Sequence, residues 1–183
     1  MSSILFIGRF QPFHQGHWWV IQKITNQKAN VLIGIGSAQY KNTKDNPFSL
    51  EERMQMIEAT LKEAGISKNR YSLIPIPDIH DDAKWPAHVR KLVKKDFDAV
   101  WTGRPIVKKL FEKYDDAKVV RLIRWKQISA TRVRGKMIAG DEKWKELVPK
   151  AVAKVVEEIG GVERVRGMTH HPSPLPYTKE EGK

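Results

Sequence analysis

The sequence predicts an α/β fold: a doubly wound parallel sheet flanked by helices, with further helices toward the C-terminal end. Three observations predict it. Short apolar runs alternate with stretches of helical period, the pattern of repeated strand–helix–strand units. The apolar runs are mostly continuous, as in strands buried on both faces. The first run passes through Gly8 into a turn and then a helical pattern, and such turns hold anions in open parallel sheets.

The elements follow in order. Strands are expected over 4–7, 31–36, 71–76, 99–102 and 118–122. Helical patterns fall over 15–28, 49–65, 84–95, 105–114 and 130–139, with a further pair over 142–147 and 149–160. Gly8 permits a tight turn, and Pro12 stops the first strand from continuing as an inner one. Trp19, Val20 and Ile24 share one face of the first helix. Ser49 with Glu52 three residues later spells a capping box. Gly65, Gly140 and the pair Gly160-Gly161 are expected helix stops. From Met168 onward three prolines and a polar finish predict a loose tail, so the domain is expected over 1–167 and the tail over 168–183.

With 183 residues, 40% of them hydrophobic, the chain can form one compact domain with a substantial core. It has no cysteine, so disulfide and thiolate chemistry are excluded. No charged-then-apolar leader and no long apolar run is visible, which predicts a soluble cytoplasmic protein without a membrane partner. Thirty-three Lys and Arg against 21 Asp and Glu give a net charge of +12. The basic residues are dispersed among acids and carry no nucleic-acid motif. A solvated surface that attracts anionic nucleotides accounts for them, and no nucleic-acid partner is expected.

Several residues carry candidate chemistry. A helix starting near His14 places His14 and His17 on one face at its N-terminus, where free N–H groups favour an anion. Their other readings are a structural pair or a metal pair. No cysteine and no His-Glu-x-x-His pattern supports metal, and His170-His171 reads as a tail pair. Gly36-Ser37-Ala38-Gln39 follows a strand, as a plain turn or a ligand loop. Ser129, Thr131 and Arg134 begin a late helix. The hydroxyls can cap that helix or bind phosphate, and Arg134 offers a planar fork that matches phosphate. Arg9 at the strand end is either solvated or in a cleft. Trp85 reads as a core residue or a stacking platform.

Gly8-Arg9-Phe10-Gln11-Pro12-Phe13-His14-Gln15-Gly16-His17 resembles the first signature of the nucleotidyltransferase superfamily. Ile128-Ser129-Ala130-Thr131-Arg132-Val133-Arg134 resembles its second, Ile-Ser-x-Thr-x-x-Arg. Between them, residues 34–39, Asn46-Pro47-Phe48, Glu52-Arg53-Met54 and Pro77-Asp78-Ile79 resemble the archaeal nicotinamide mononucleotide adenylyltransferases. The similarity runs from Ile4 to Arg166. Two positions depart from the archaeal pattern. Thr102-Gly103-Arg104-Pro105 replaces Ser-Gly-Asn-Pro, and Asp82 replaces an Asn.

The resemblance implies a Rossmann-like nucleotidyltransferase fold and transfer of AMP from ATP to nicotinamide mononucleotide, giving NAD and pyrophosphate. It implies catalytic roles for His14, His17 and Arg134. It places Gly8, Arg9, Phe10, Ser129 and Thr131 with them around ATP, and Ser37, Asp78 and Trp85 around the nicotinamide nucleotide. Mg²⁺ would arrive with ATP, without a protein ligand set, and a homo-oligomer, a hexamer, is implied. The alternatives are a sister transferase with another phosphate acceptor and, in a different class, a basic RNA-binding module.

Overall fold

The computed structural model describes residues 2–123 and 125–168. The expected tail, with its His170-His171 pair, lies outside the described residues apart from Met168. The chain runs β1 (Ser3–Gly8), α1 (Gln15–Asn26), β2 (Asn30–Gly36), α2 (Leu50–Glu63), β3 (Tyr71–Ile76), α3 (Trp85–Val93), β4 (Ala99–Thr102), α4 (Pro105–Tyr114) and β5 (Lys118–Arg121). It continues through α5 (Ala130–Ile138), a 3₁₀ turn (Glu142–Leu147), α6 (Lys150–Glu158) and α7 (Gly161–Gly167).

All five strands are parallel, in the order β3-β2-β1-β4-β5, so the expected doubly wound fold is the observed one. Successive strand side chains point to opposite faces. Ile4, Phe6, Val31, Ile33 and Ile35 accordingly pack with Val20, Ile21 and Ile24 of α1, Met56 and Ile57 of α2, and the C-terminal helices. Leu5, Ile7, Leu32, Ile76 and Val100 pack with Val89 and Val93 of α3 and Val107 and Phe111 of α4. Burial of each such side chain contributes about 1.5–3 kcal/mol, which holds both helical layers to the sheet.

Ser49 caps α2 as its spelling predicts. Its Oγ accepts from the Glu52 amide at 3.3 Å, and its own amide donates to Glu52 Oε2 at 2.8 Å. Glu52 also pairs with Arg164 of α7 at 2.6 Å, tying the last helix to the second.

Three expectations are corrected. The first helix ends at Asn26 rather than 28, because Lys28 adopts φ 58 and turns the chain toward β2. Residues 142–147 form a 3₁₀ turn rather than an α-helix, stopped before Pro149. Gly160, at φ 61, does stop α6, but Gly161 begins α7 instead of ending a helix. A Cβ at Gly161 would lie 2.9 Å from the Phe48 ring and 3.0 Å from the Val156 carbonyl oxygen, so close packing is what requires glycine there. No helix among the described residues is long and apolar enough to cross a membrane.

Candidate active site

The strand order reverses between β1 and β4, and ligands of open parallel sheets bind at the carboxyl ends of the strands at such a point. β1 ends there at Gly8 and is followed by Arg9, and β4 is followed by Gly103 and Arg104. Two cavities open on either side of this seam and share Ile7, Gly8, Arg9 and Arg104 as their common wall. One encloses about 280 Å³ and the other about 190 Å³.

The larger cavity gathers both signature segments. His14, His17, Ser129, Thr131 and Arg134 all line it, although most of the sequence separates the first two from the rest. His14 is the N-cap of α1. The cap is a capping box built from imidazoles: His14 Nδ1 accepts from the His17 amide at 3.3 Å, and His17 Nδ1 accepts from the His14 amide at 3.2 Å. A ring nitrogen that accepts from an amide carries no proton, so each neutral ring holds its proton on Nε2 and can donate from there. Burial lowers the His14 pKa to about 3. Burial, with the neighbouring His14 second, also holds His17 well below the ordinary imidazole range. Phe10 packs edge-on against His17, with ring centroids 4.7 Å apart, and Phe13 lies 5.5 Å away. The pair is therefore two rigid neutral donors at a helix N-terminus, where the helix dipole adds attraction for an anion.

On the opposite wall Ser129 is the N-cap of α5, its Oγ accepting from the Arg132 amide at 3.2 Å. Its hydroxyl hydrogen remains available for donation. Thr131 is exposed on the first turn. Arg134 is half-buried, and its Nη1 donates to the Gln11 carbonyl at 2.8 Å. That bond fixes the guanidinium across the cavity while leaving other N–H groups for a ligand. Burial first, then the Arg9 charge, lowers its pKa.

The smaller cavity holds Ser37, Asp78 and Trp85 together, with Asp81, Asp82 and His80 at its rim. Ser37, at φ 51 and buried, donates its hydroxyl to Asp78 Oδ2 at 2.7 Å. The carboxylate is thus aimed before any ligand enters, and the serine acts through it. Trp85 opens α3 and is half-buried, its ring perpendicular to that of Phe111 with centroids 5.9 Å apart while the side chain lines the cavity.

The eleven expected site residues divide cleanly between the two cavities, with Gly8 and Arg9 in both. Phe10 sits differently from its neighbours. Its ring is 1% exposed and packs on Phe6, Phe13 and His17, so only its backbone, held at φ 55, can face a phosphate. A Cβ at Gly8 would press on that ring at 3.0 Å, which explains the glycine beside it. The flanking Lys136 is engaged with Asp141 and does not line either cavity.

Three supporting residues escape a sequence reading. Arg53 is fully buried, yet it meets no carboxylate. It donates to the carbonyls of Arg9 at 3.0 Å, Gly36 at 2.9 Å, Ser37 at 3.3 Å and Ser49 at 3.1 Å. Burial lowers its pKa to about 10, so it remains charged beneath the seam. Gln11, 1% exposed, pairs its amide with the backbone of Phe48 in both directions at 2.9 Å. Gln39 does the same for Asp78, donating to its carbonyl at 2.8 Å and accepting from its amide at 3.0 Å. The available signal was a polar or charged residue inside an otherwise apolar helical face, as at Arg53, three and four residues before Met56 and Ile57.

Among the described residues, no three His, Cys, Asp or Glu side chains gather as a metal-ion site. The larger cavity instead offers imidazole, hydroxyl and guanidinium donors, which suit phosphate oxygens.

The chain is similar to known proteins in sequence and in fold. Residues 5–136 match the cytidylyltransferase-like family. A nicotinamide-nucleotide adenylyltransferase of Pyrococcus furiosus is 48% identical over 168 residues, 91% of this chain and 88% of that one. Another from Thermococcus onnurineus is 46% identical over 88% of this chain and 86% of its own. Among solved structures, a bifunctional NMN adenylyltransferase/ADP ribose pyrophosphatase from Francisella tularensis, complexed with AMP and an Mn ion, superposes with a TM-score of 0.63 at 28% identity. That match covers 93% of this chain and 56% of the bifunctional one, so this chain spans a little over half of its length.

Proposed function

Because the chain belongs to the cytidylyltransferase-like family, we propose that it transfers AMP from ATP to nicotinamide mononucleotide, giving NAD and pyrophosphate. One observation carries the reading beyond family membership: the two cavities meet along a single wall, so ligands in each would present their phosphates to one another at Gly8 and Arg9. A transferase of this kind needs that meeting point. The acceptor's own 5′-phosphate oxygen attacks the α-phosphorus of ATP. The new O–P bond forms as the bond to the β-phosphate oxygen breaks, and pyrophosphate leaves.

The acceptor phosphate is already anionic, so no protein base is required. Catalysis reduces to orientation and charge stabilisation. The Nε2–H groups of His14 and His17, with Arg134, stabilise charge that moves onto the departing pyrophosphate; their fixed tautomers and the Arg134–Gln11 bond support this. Ser129 and Thr131 hold ATP phosphate oxygens at the start of α5. Asp78, braced by Ser37 and Gln39, takes a hydrogen bond from the nicotinamide nucleotide, and Trp85 offers its face to the ring. His14, His17, Ser129, Thr131 and Arg134 would receive ATP as its magnesium complex, the ion supplying further charge neutralisation at the phosphates. The hexamer implied by resemblance is part of the same proposal, and light scattering tests it.

The decisive assay follows pyrophosphate release from ATP with a panel of acceptors: nicotinamide mononucleotide, phosphopantetheine and a ribose phosphate without the ring. Turnover with the first and none with the others supports the reading. Turnover with phosphopantetheine alone would replace it by a sister transferase. Salt-steep binding of oligonucleotides without turnover would replace it by an RNA-binding module.

A further inference from the structure

Arg104 lines both cavities, and so does Arg9, whose charge acts on it. Neither guanidinium makes a hydrogen bond or an ion pair among the described residues. Arg53, Arg70, Arg90, Arg134 and Arg164, by contrast, are each tied to an oxygen. The backbone of Arg104 is fixed. Its amide donates to Thr102 Oγ1 at 3.1 Å, and that buried hydroxyl donates in turn to the Ile7 carbonyl at 3.3 Å. The arginine is therefore anchored to the end of β1. Desolvation between the cavity walls, and then the charge of Arg9, lowers its pKa, with Asp78 opposing. Two like charges held near each other without an ion-pair partner leave an unmet demand for anion at one point of the molecule.

We infer that Arg104 is a catalytic residue that pairs with Arg9 to clasp the two phosphates where they meet, acting only when both cavities are filled. This rests on the adenylyl-transfer reading for its chemistry. The attacking phosphate and the α-phosphate repel each other as they approach, and a guanidinium reaching both cavities offsets that repulsion at the seam. A group confined to one cavity would strengthen one nucleotide alone. A group shared by both should show itself in the joined state: in turnover, and in affinity for a dinucleotide whose two phosphates span the wall.

The test uses the full chain with Arg104→Ala and Arg104→Lys. The side chain has no hydrogen-bond partner to lose, so both variants should fold, which a melting curve checks. Removing a donor from a developing charge commonly costs about 10²–10³ in kcat, and for a group at the cavity mouth we expect roughly 10- to 100-fold for Arg104→Ala. Arg104→Lys should recover part of that loss. Equilibrium binding of ATP alone should change by less than about threefold, whereas binding of NAD should weaken by about tenfold. Unchanged kcat and NAD affinity, or equal losses for ATP and NAD, would overturn the inference. If the parent protein forms no NAD, the adenylyl-transfer reading fails instead. The split between ATP and NAD affinity then still decides the role of Arg104.

Discussion

The imidazoles of His14 and His17 lie face to face with their centroids 3.5 Å apart, and each ring accepts the backbone N–H of the other residue. One pair of side chains thus caps a helix, fixes its own tautomers and lines the larger cavity. The cap and the proposed chemistry share the same two rings, and mutation must separate them.

His17→Ala removes one Nε2–H donor. Loss of such a donor commonly lowers kcat by about 10²–10³. We expect that loss with KM for ATP nearly unchanged, measured by pyrophosphate release. His14→Asn should keep the cap, since Asn is a favoured N-cap residue, and still lose turnover. Retention of turnover by His14→Asn would restrict His14 to the cap.

The same pair predicts an acid-side loss of stability. His14 titrates at about 3 in the folded chain, against 6.5 for an ordinary histidine. Between those values the unfolded chain binds more protons, so stability rises with pH across this window and falls as pH drops below 6.5. Above it the contribution is constant. His17 acts in the same direction. Melting temperature measured from about pH 8 down to about pH 4 should be level at first and then fall. In His14→Asn the fall should be shallower.

Arg53→Met leaves four inward carbonyls without their donor. A hydrogen bond to a charged group contributes about 1.5–3 kcal/mol, so losing these four, with water replacing some, costs about 3–5 kcal/mol. For a chain of this size that is a drop of roughly 6–20 °C in melting temperature. Calorimetry checks it. An unchanged melting temperature would mean that water replaces the guanidinium.

Arg134→Lys preserves charge but loses the fork that grips Gln11 and still offers further donors. We expect kcat/KM for ATP to fall by at least about tenfold, well beyond a conservative change. Equal values in variant and parent would assign Arg134 to the surface.

Trp85→Ala should raise KM for nicotinamide mononucleotide by roughly 5- to 150-fold, because stacking on an aromatic ring is worth about 1–3 kcal/mol. KM for ATP should move much less. Trp85→Phe keeps an aromatic ring beside Phe111 and should recover most of the affinity. An unchanged KM in a folded Trp85→Ala would remove the stacking role.

The sequence was most legible where periodicity and turn chemistry agreed. The strands over 71–76 and 99–102 fall as expected, and the capping box at Ser49 is present. The last helix escaped because two adjacent glycines read as a stop. Only tertiary packing against Phe48 reveals that the second glycine starts an element. At the site, chemistry-bearing residue types were visible, but their partners were not. Nothing local in Ser37 says that its hydroxyl is spent on Asp78, forty-one residues away. Nothing local in Arg53 says that its acceptors are backbone oxygens from three loops. Such contacts depend on strand order, which emerges only when the whole sheet is assembled.

The common wall between the cavities divides the molecule along the plane of its sheet. The larger cavity is built with α1 and α5, which pack on one face, and the smaller with α3 and α4, which pack on the other. Each half can therefore be rewritten with little disturbance to its counterpart. Changes over 78–85 and in the first turn of α4 touch the smaller cavity, while the imidazoles, hydroxyls and guanidinium of the larger one stay in place. The layout is modular: one layer of helices can change its cavity while the wall of Ile7, Gly8, Arg9 and Arg104 keeps both cavities joined.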